Sequence, residues 1–233
     1  MNVLITGALR GIGRAIAEIF AANGHNLFIT SRNEVALYKA MEELVTKYPS
    51  VTIKAKAFDL SIKEEAIKAG SWVLDAGIVP DVLVNNVGLF EPGSVHNEPD
   101  NLLENQVATN LYSAYHLTRA VLPEMLKRKS GHIFNMCSTA SLGAYENGGA
   151  YSISKFALHG FSKNLREEMK PYNIKVTSVF PGAVMTGSWG GFDNSQKRIM
   201  EAEDVAKMVY VVSQLSAAAC VEDIVMRPQL GDL

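Results

Sequence analysis

Cysteine is nearly absent: Cys137 and Cys220 are the two in 233 residues. So sparse a pair is no disulfide framework and implies a reducing, cytoplasmic setting. No Cys/His group has zinc-ligand spacing, so no metal is expected. An excess of one charge is missing too. Lysine and arginine number 22 against 24 aspartate and glutamate, a formal charge of −2, which leaves no electrostatic footprint for nucleic acid or an anionic membrane. Nor does the amino end carry a long apolar run. The stretch from Met1 ends at Gly7 without a basic leader, far short of the roughly 20 residues that span a bilayer. It reads as a buried strand, and nothing marks export, lipidation or membrane insertion.

What is present is material for a core. The chain is 48% apolar and 20% charged, which excludes disorder, and its length suits one domain over residues 1–233. Apolar β-rich runs alternate with helical periods throughout. Val3–Ile5, Asn26–Thr30, Val51–Phe58, Val79–Val84, His132–Met136, Ile174–Phe180 and Ile224–Met226 read as strands. Between them, Ile12, Ile16, Ile19 and Phe20 recur at helical intervals, and amphipathic stretches run from Glu34 to Tyr48, from Ser61, from Leu102 to Lys129, from Ala150 to near Pro171 and from Asp204 to Ser213. Strands separated by helices imply βαβ units. The fold class is therefore α/β: a single-domain, doubly wound parallel sheet of about seven strands with helices on both faces, the Rossmann arrangement.

In such sheets the ligand sits at the carboxyl ends of the strands. The first strand runs into Thr6-Gly7-Ala8-Leu9-Arg10-Gly11-Ile12-Gly13, and a helix follows at once. Glycines there permit a tight turn, close backbone approach to a pyrophosphate and tight helix–strand contact, while the helix amino end attracts the anion. The spacing differs from the common G-x-G-x-x-G fingerprint.

This T-G-x-x-x-G-x-G turn, together with Asn85-Asn86-Val87-Gly88 after the fourth strand, Asn110 in the long helix, Ser138 after the fifth strand, Tyr151-Ser-Ile-Ser-Lys155, and Pro181-Gly182 with Thr186, resembles the short-chain dehydrogenase/reductase family. Its members are single-domain Rossmann oxidoreductases of about this length, and the stations occur in order over nearly the whole chain. Val87 departs from the family's usual alanine. Leu9 stands where NADP-dependent relatives often have a serine or threonine.

The end of the second strand selects between nicotinamide cofactors. A carboxylate there bonds the adenosine ribose 2′-hydroxyl and favours NAD, whereas arginine accommodates the 2′-phosphate of NADP. Here it is Thr30-Ser31-Arg32-Asn33, with Arg32 19 residues after Gly13 and no acid. Arg10 offers a second guanidinium from the glycine turn, and two forked cations suit a phosphomonoester dianion. The expected cofactor is NADP(H), held by Gly7, Leu9, Arg10, Gly11, Ile12, Gly13, Ser31 and Arg32. The resemblance adds Asp59 and Leu60 about the adenine, Asn86 and Gly88 about the adenosine ribose, and Pro181, Gly182, Val184 and Thr186 toward the nicotinamide carboxamide. Tyr151 and Lys155 complete the set, with Lys155 on the nicotinamide ribose.

Carbonyl reduction needs a proton donor beside the oxygen. A tyrosine, with a pKa of about 10, is a reluctant one unless an ammonium stabilises its phenolate. Tyr151 and Lys155 are four apart in a helix and so share a face. Tyr151 is expected as general acid in reduction and general base in oxidation, Lys155 as the group that lowers its pKa, and Ser138 as the donor that polarises the substrate oxygen. Ser141 is a rival to Ser138, but Ser138 has the family's interval to the tyrosine. From the resemblance alone, Asn110 anchors a water in a proton relay below Lys155.

The resemblance also makes residues 187–202 a short substrate lid, here with Trp189, Phe192 and several glycines. Leu142, Tyr145, Phe90 and Trp189 are candidate walls of an apolar pocket. The expected substrate is a small or medium apolar ketone, aldehyde or diketone. Alternatives are a 3-oxoacyl-(acyl-carrier-protein) reductase, a hydroxy-acid or alcohol dehydrogenase working oxidatively, and, in another class, a non-catalytic NADP(H) sensor. The carboxyl-terminal Ile-Val-Met-Arg-Pro-Gln-Leu-Gly-Asp-Leu is more similar to the sepiapterin reductase-like and 3-hydroxy acid dehydrogenase-like branch than to acyl-carrier-protein ketoacyl reductases. Family members are homodimers or homotetramers built on the two long helices, and the same is expected here.

Overall fold

The computed structural model describes residues 1–189 and 191–232. Along the chain run β1 (Asn2–Thr6), α1 (Gly11–Ala22), β2 (Asn26–Ser31), α2 (Glu34–Lys47), β3 (Ile53–Ala57), α3 (Lys63–Asp75), β4 (Val82–Asn85), α4 (Leu102–Val107), α5 (Ser113–Arg128), β5 (Gly131–Met136), α6 (Gly149–Met169), β6 (Ile174–Pro181), α7 (Ala202–Ser213) and β7 (Asp223–Met226). The strands form one sheet in the order β3-β2-β1-β4-β5-β6-β7, and every pairing is parallel. This is the expected doubly wound α/β fold.

Covered on both faces, the central strands are continuously apolar rather than alternating. Val3, Leu4 and Ile5 of β1 are all fully buried. Val3 and Ile5 pack with Ile16 and Phe20 of α1, Leu37 of α2 and Val209 of α7. Leu4 faces the other way, into a core with Val73 of α3, Val121 of α5 and Leu165 of α6. The chain leaves β1 toward β2 and later returns on its other side as β4. That reversal opens a crevice above the carboxyl ends of β1 and β4, where doubly wound sheets bind ligands.

Three boundaries differ from the sequence reading for physical reasons. The fourth strand begins at Val82 rather than Val79, since Pro80 has no N–H for a ladder. The third helix begins at Lys63 rather than Ser61, because the Ser61 N–H and hydroxyl both donate to Asp59 Oδ1 (3.1 and 2.6 Å) and hold a turn there. The expected helix from Leu102 to Lys129 is interrupted: Ala108–Tyr112 winds as a π turn between α4 and α5. Single π turns inside α-helices occur frequently at functional sites, and this one contains Asn110. At the opposite end of the sheet, where the chain enters the central strand β4, Arg128 straps the end of α5 to the Val79 and Pro80 carbonyls (2.9 and 2.6 Å) and to Asp81 (3.0 Å).

Candidate active site

The glycine turn departs from β1 with Gly7 at φ 69° and Gly11 at φ 56°, backbone that a Cβ would strain. A methyl group at Gly13 would stand 2.4 Å from the Gly7 carbonyl oxygen; the turn closes because that position is hydrogen only. Asn86 staples it, donating through Nδ2 to the carbonyls of Thr6 (2.9 Å) and Gly7 (3.2 Å). Thr6 returns the support, its hydroxyl accepting from the backbone N–H groups of Asn86 and Val87 (2.9 and 3.0 Å). No side chain caps α1, whose flanking residue is Arg10.

These residues form a cradle suited to a dinucleotide. Its floor is shaped by absent Cβ atoms, and the N–H groups at the start of α1 have no side-chain acceptor, leaving them to an anion. Arg10 and Arg32 are both exposed, and among the described residues neither forms an ion pair. Leu9 and Ile12 turn their side chains against the core cluster behind α1, so their contribution to a ligand is backbone. Ser31 ends β2 and Arg32 follows it, and Leu60 is buried beyond β3. Asp59 spends Oδ1 on Ser61, the strand-terminating role that its residue type also suits.

The segment after β6 joins this cradle from above. Pro181 and Val184 are buried, and Asp232 lies against Gly182, 3.0 Å from where a Cβ would be. Thr186 presses on Gly11, and the Arg10 guanidinium lies against Gly187, 3.0 and 3.1 Å from where a Cβ would be, closer than van der Waals contact would allow. The base of the expected lid is zipped: Met185 N–H donates to Met200 O (2.7 Å) and Met200 N–H to Ala183 O (3.1 Å). Within it Trp189 packs edge-on to Phe192 at 5.4 Å and Asn194 brackets Ile199 through N–H and carbonyl (3.0 and 3.1 Å). Position 190 lies outside the described residues, as does Leu233.

Opposite the cradle stands α6, with Tyr151 and Lys155 one turn apart on a shared face. Lys155 is 4% exposed and donates from Nζ to the Met136 carbonyl at the end of β5 (2.8 Å). Burial pulls its ammonium down to about 8. For Tyr151, the expected lowering of its pKa by Lys155 is not seen in this structure. Its hydroxyl is raised above its usual pKa, because burial disfavours the phenolate, with the Ser138 side chain opposing that rise. Lys155 Nζ lies 5.9 Å from the centre of the Tyr151 ring and is spent on a carbonyl rather than on the phenol oxygen. Phe90 packs edge-on against Tyr151 at 4.8 Å.

Ser138, two residues beyond β5, opens a short turn over Thr139–Ser141, its Oγ accepting from Ala140 N–H (3.2 Å). The rival Ser141 is 1% exposed and its hydroxyl accepts from the Ser138 N–H (3.2 Å), so of the two it is Ser138 that neighbours Tyr151. Asn110, in the π turn, grips the loop after β4: Leu89 N–H donates to Oδ1 (2.6 Å), and Nδ2 donates to Leu89 O (3.0 Å) and Ser154 Oγ (2.8 Å). Ser154 in turn donates to the Tyr151 carbonyl (2.8 Å). Gly88 lies between the two halves of the site, since a Cβ there would be 3.4 Å from both Asn110 Oδ1 and Lys155 Nζ. The structure thus brings together Gly88, Asn110, Ser138, Tyr151 and Lys155. Sequence reading assigned no role to Thr6 and Ser154, although both lie within the quoted motifs; a small hydroxyl residue there gives no local sign of the bonds it makes.

Of the candidate pocket walls, Phe90, Leu142 and Tyr145 are all exposed, and Phe90 packs against Tyr151. Tyr145 lines a groove of about 580 Å³ with Ile153 and Phe156 of α6. Among the described residues no group of three His, Cys, Asp or Glu is placed to hold a metal ion, and no helix is long and apolar enough to cross a membrane.

The sequence profile described as short chain dehydrogenase matches residues 1–197. The chain is 33% identical to a sepiapterin reductase of Chlorobaculum tepidum, over 99% of this chain and 97% of that protein. It is 31% identical to an NADP-dependent 3-hydroxy acid dehydrogenase of Salmonella typhi, over 98% and 95% of the two chains. Among solved structures, the closed form of a serine dehydrogenase complexed with NADP+ superposes with a TM-score of 0.89 at 29% identity, over all of this chain and 97% of that one.

Proposed function

The chain is a member of the short-chain dehydrogenase family, and from that premise we propose that it is an NADP(H)-dependent reductase of a small or medium apolar carbonyl. The observation that carries this reading is the convergence of the glycine-shaped cradle with Ser138, Tyr151 and Lys155 about Gly88. Arg10 and Arg32, unpaired among the described residues, are assigned to the adenosine 2′-phosphate, in keeping with the NADP named for two of the relatives. The remaining cradle residues, Gly7 through Gly13, Ser31, Asp59, Leu60, Asn86, Gly88, Pro181, Gly182, Val184 and Thr186, are assigned to the rest of the dinucleotide. When bound, the cofactor supplies the hydride.

The protein's own part is binding and proton management. Ser138 Oγ donates to the substrate oxygen and fixes it beside the phenol. Tyr151, kept protonated by its burial, gives its hydroxyl proton to that oxygen in reduction; in the reverse direction the phenolate takes it back. Lys155 is positively charged below about pH 8 and stabilises the phenolate left behind. Asn110, with Ser154, holds the backbone of the β4 loop and of Tyr151 in register. Residues 187–202 cover the substrate, and residues 1–233 act as one unit. Exposed Leu103, Tyr112, Ile153 and Phe156 on α4, the π turn and α6 support a homodimer or homotetramer through these helices.

A panel of ketones, diketones, pterins and hydroxy acids, assayed with NADPH and NADH, tests the reading. NADPH oxidation by at least one carbonyl is expected. Tight NADPH binding with no turnover of any compound would replace it by the sensor. Hydroxy-acid oxidation with NADP, outrunning every reduction at matched pH, would favour the oxidative dehydrogenase suggested by the hydroxy-acid relative.

A further inference from the structure

Helix α6 carries Tyr151 in its first turn yet has no capping side chain of its own, because the residue before it is Gly148. The N–H groups of a helix's first turn need acceptors from elsewhere. Here the acceptor comes from a distant loop: Glu98 Oε2 accepts from the Ala150 N–H at 3.1 Å, the residue immediately preceding Tyr151. The approach is built in on both sides. A Cβ at Gly149 would stand 2.4 Å from Glu98 Oε2 and 2.3 Å from Gly93 O, and one at Gly93 would stand 2.9 Å from Glu98 Cβ. The two loops are further stitched by Gly93 N–H to Asn147 O (3.0 Å) and Ser94 Oγ to Asn147 Oδ1 (2.8 Å). Glu98 N–H itself donates to Ser94 O (2.9 Å), which fixes the carboxylate's backbone.

We propose that Glu98 is a positioning residue for Tyr151: its carboxylate, reaching from the loop between β4 and α4, seats the first turn of α6 and thereby sets where the phenol stands. This rests on the assignment of Tyr151 as the proton donor. The carboxylate suits the task twice over, accepting the orphan N–H and placing negative charge at the positive end of the helix. Because a misplacement of about 1 Å at a reacting group can cost roughly a hundredfold in rate, a loosened first turn is expressed in kcat. Among the described residues, the hydrogen bonds of Glu98 go to Ala150 and Ser94, neither of which belongs to the dinucleotide cradle.

The test compares E98Q with E98D in the full-length protein. Glutamine keeps an acceptor at the same reach, whereas aspartate keeps the charge but is one methylene too short. E98Q is expected to retain kcat for NADPH-dependent carbonyl reduction within threefold. E98D is expected to lose at least fivefold in kcat, with the NADPH Kd of both within twofold of the parent. Hydrogen exchange should show the amides of residues 149–152 losing protection in E98D and keeping it in E98Q. Equal kcat in the two variants overturns the proposal, as does a kcat loss in E98D without faster exchange in that segment, or a Kd that rises in step with it. Tyr151→Phe, run alongside, separates the failures: if it turns over normally the assignment of Tyr151 falls, while an inactive Y151F beside an unimpaired E98D overturns Glu98 alone.

Discussion

Acidification should destabilise this fold through one imidazole. His132 in β5 is 5% exposed and lies stacked on Phe134, ring centres 4.0 Å apart. The Thr177 hydroxyl donates to Val221 O (2.6 Å), so at 2.8 Å from His132 Nε2 it must accept, which places the ring proton on Nε2. Nδ1 is buried with no partner in the structure. A second proton there would go to an unsolvated nitrogen, so burial first, and then Lys175, pulls the pKa from 6.5 down to about 3. The unfolded chain therefore binds a proton at this position that the folded chain refuses. The stability is fully present above pH 6.5 and is lost as pH falls toward about 3. At ~1.4 kcal/mol per tenfold change in proton affinity, the loss is ~2 kcal/mol between pH 8 and pH 5, approaching ~5 kcal/mol below pH 3. Urea unfolding at pH 8 and pH 5, for the parent and His132→Phe, isolates this group. Phenylalanine keeps the stacking and does not titrate, so its stability should depend on pH by ~2 kcal/mol less than the parent's over that interval. Identical pH dependence in the two proteins would refute the reasoning.

Arg32→Asp should weaken NADPH at least tenfold more than NADH in equilibrium titrations; equal losses would remove the arginine from the phosphate. Gly13→Ala, whose methyl would meet the Gly7 carbonyl at 2.4 Å, should lower Tm and raise the NADPH Kd at least tenfold, whereas a neutral result would show that the turn has room. Arg128→Ala strips the strap from the Val79 and Pro80 carbonyls and from Asp81, and should cost about 1–3 kcal/mol in denaturant unfolding with kcat unchanged, because it lies at the amino-terminal ends of the strands, away from the site.

What the sequence made legible was local. The glycine turn between Thr6 and Gly13 is readable because φ above zero and close backbone approach admit few other residues. The four-residue interval of Tyr151 and Lys155 is readable because helical geometry alone puts them on one face. What escaped depends on contacts between distant segments. The π turn around Asn110 follows from bonds to Leu89 and Ser154, 21 and 44 residues away, while the local sequence reads as ordinary helix. Spacing likewise suggested a phenol acidified by Lys155. Spacing says nothing of depth, and depth raises the Tyr151 hydroxyl and draws Lys155 to the Met136 carbonyl. Asp59 shows the same limit: its position was legible, but not the turn at Ser61 that occupies one of its oxygens.

The central claim is that Tyr151 delivers the proton in a cradle that binds NADPH independently of it. Single-turnover NADPH oxidation by the parent and by Tyr151→Phe, on the carbonyl the parent reduces fastest, tests it with the NADPH Kd measured in parallel. The account predicts a rate at least a thousandfold lower with the Kd within twofold, a loss of about 4 kcal/mol in transition-state stabilisation. A variant that reduces the carbonyl within tenfold of the parent would contradict it.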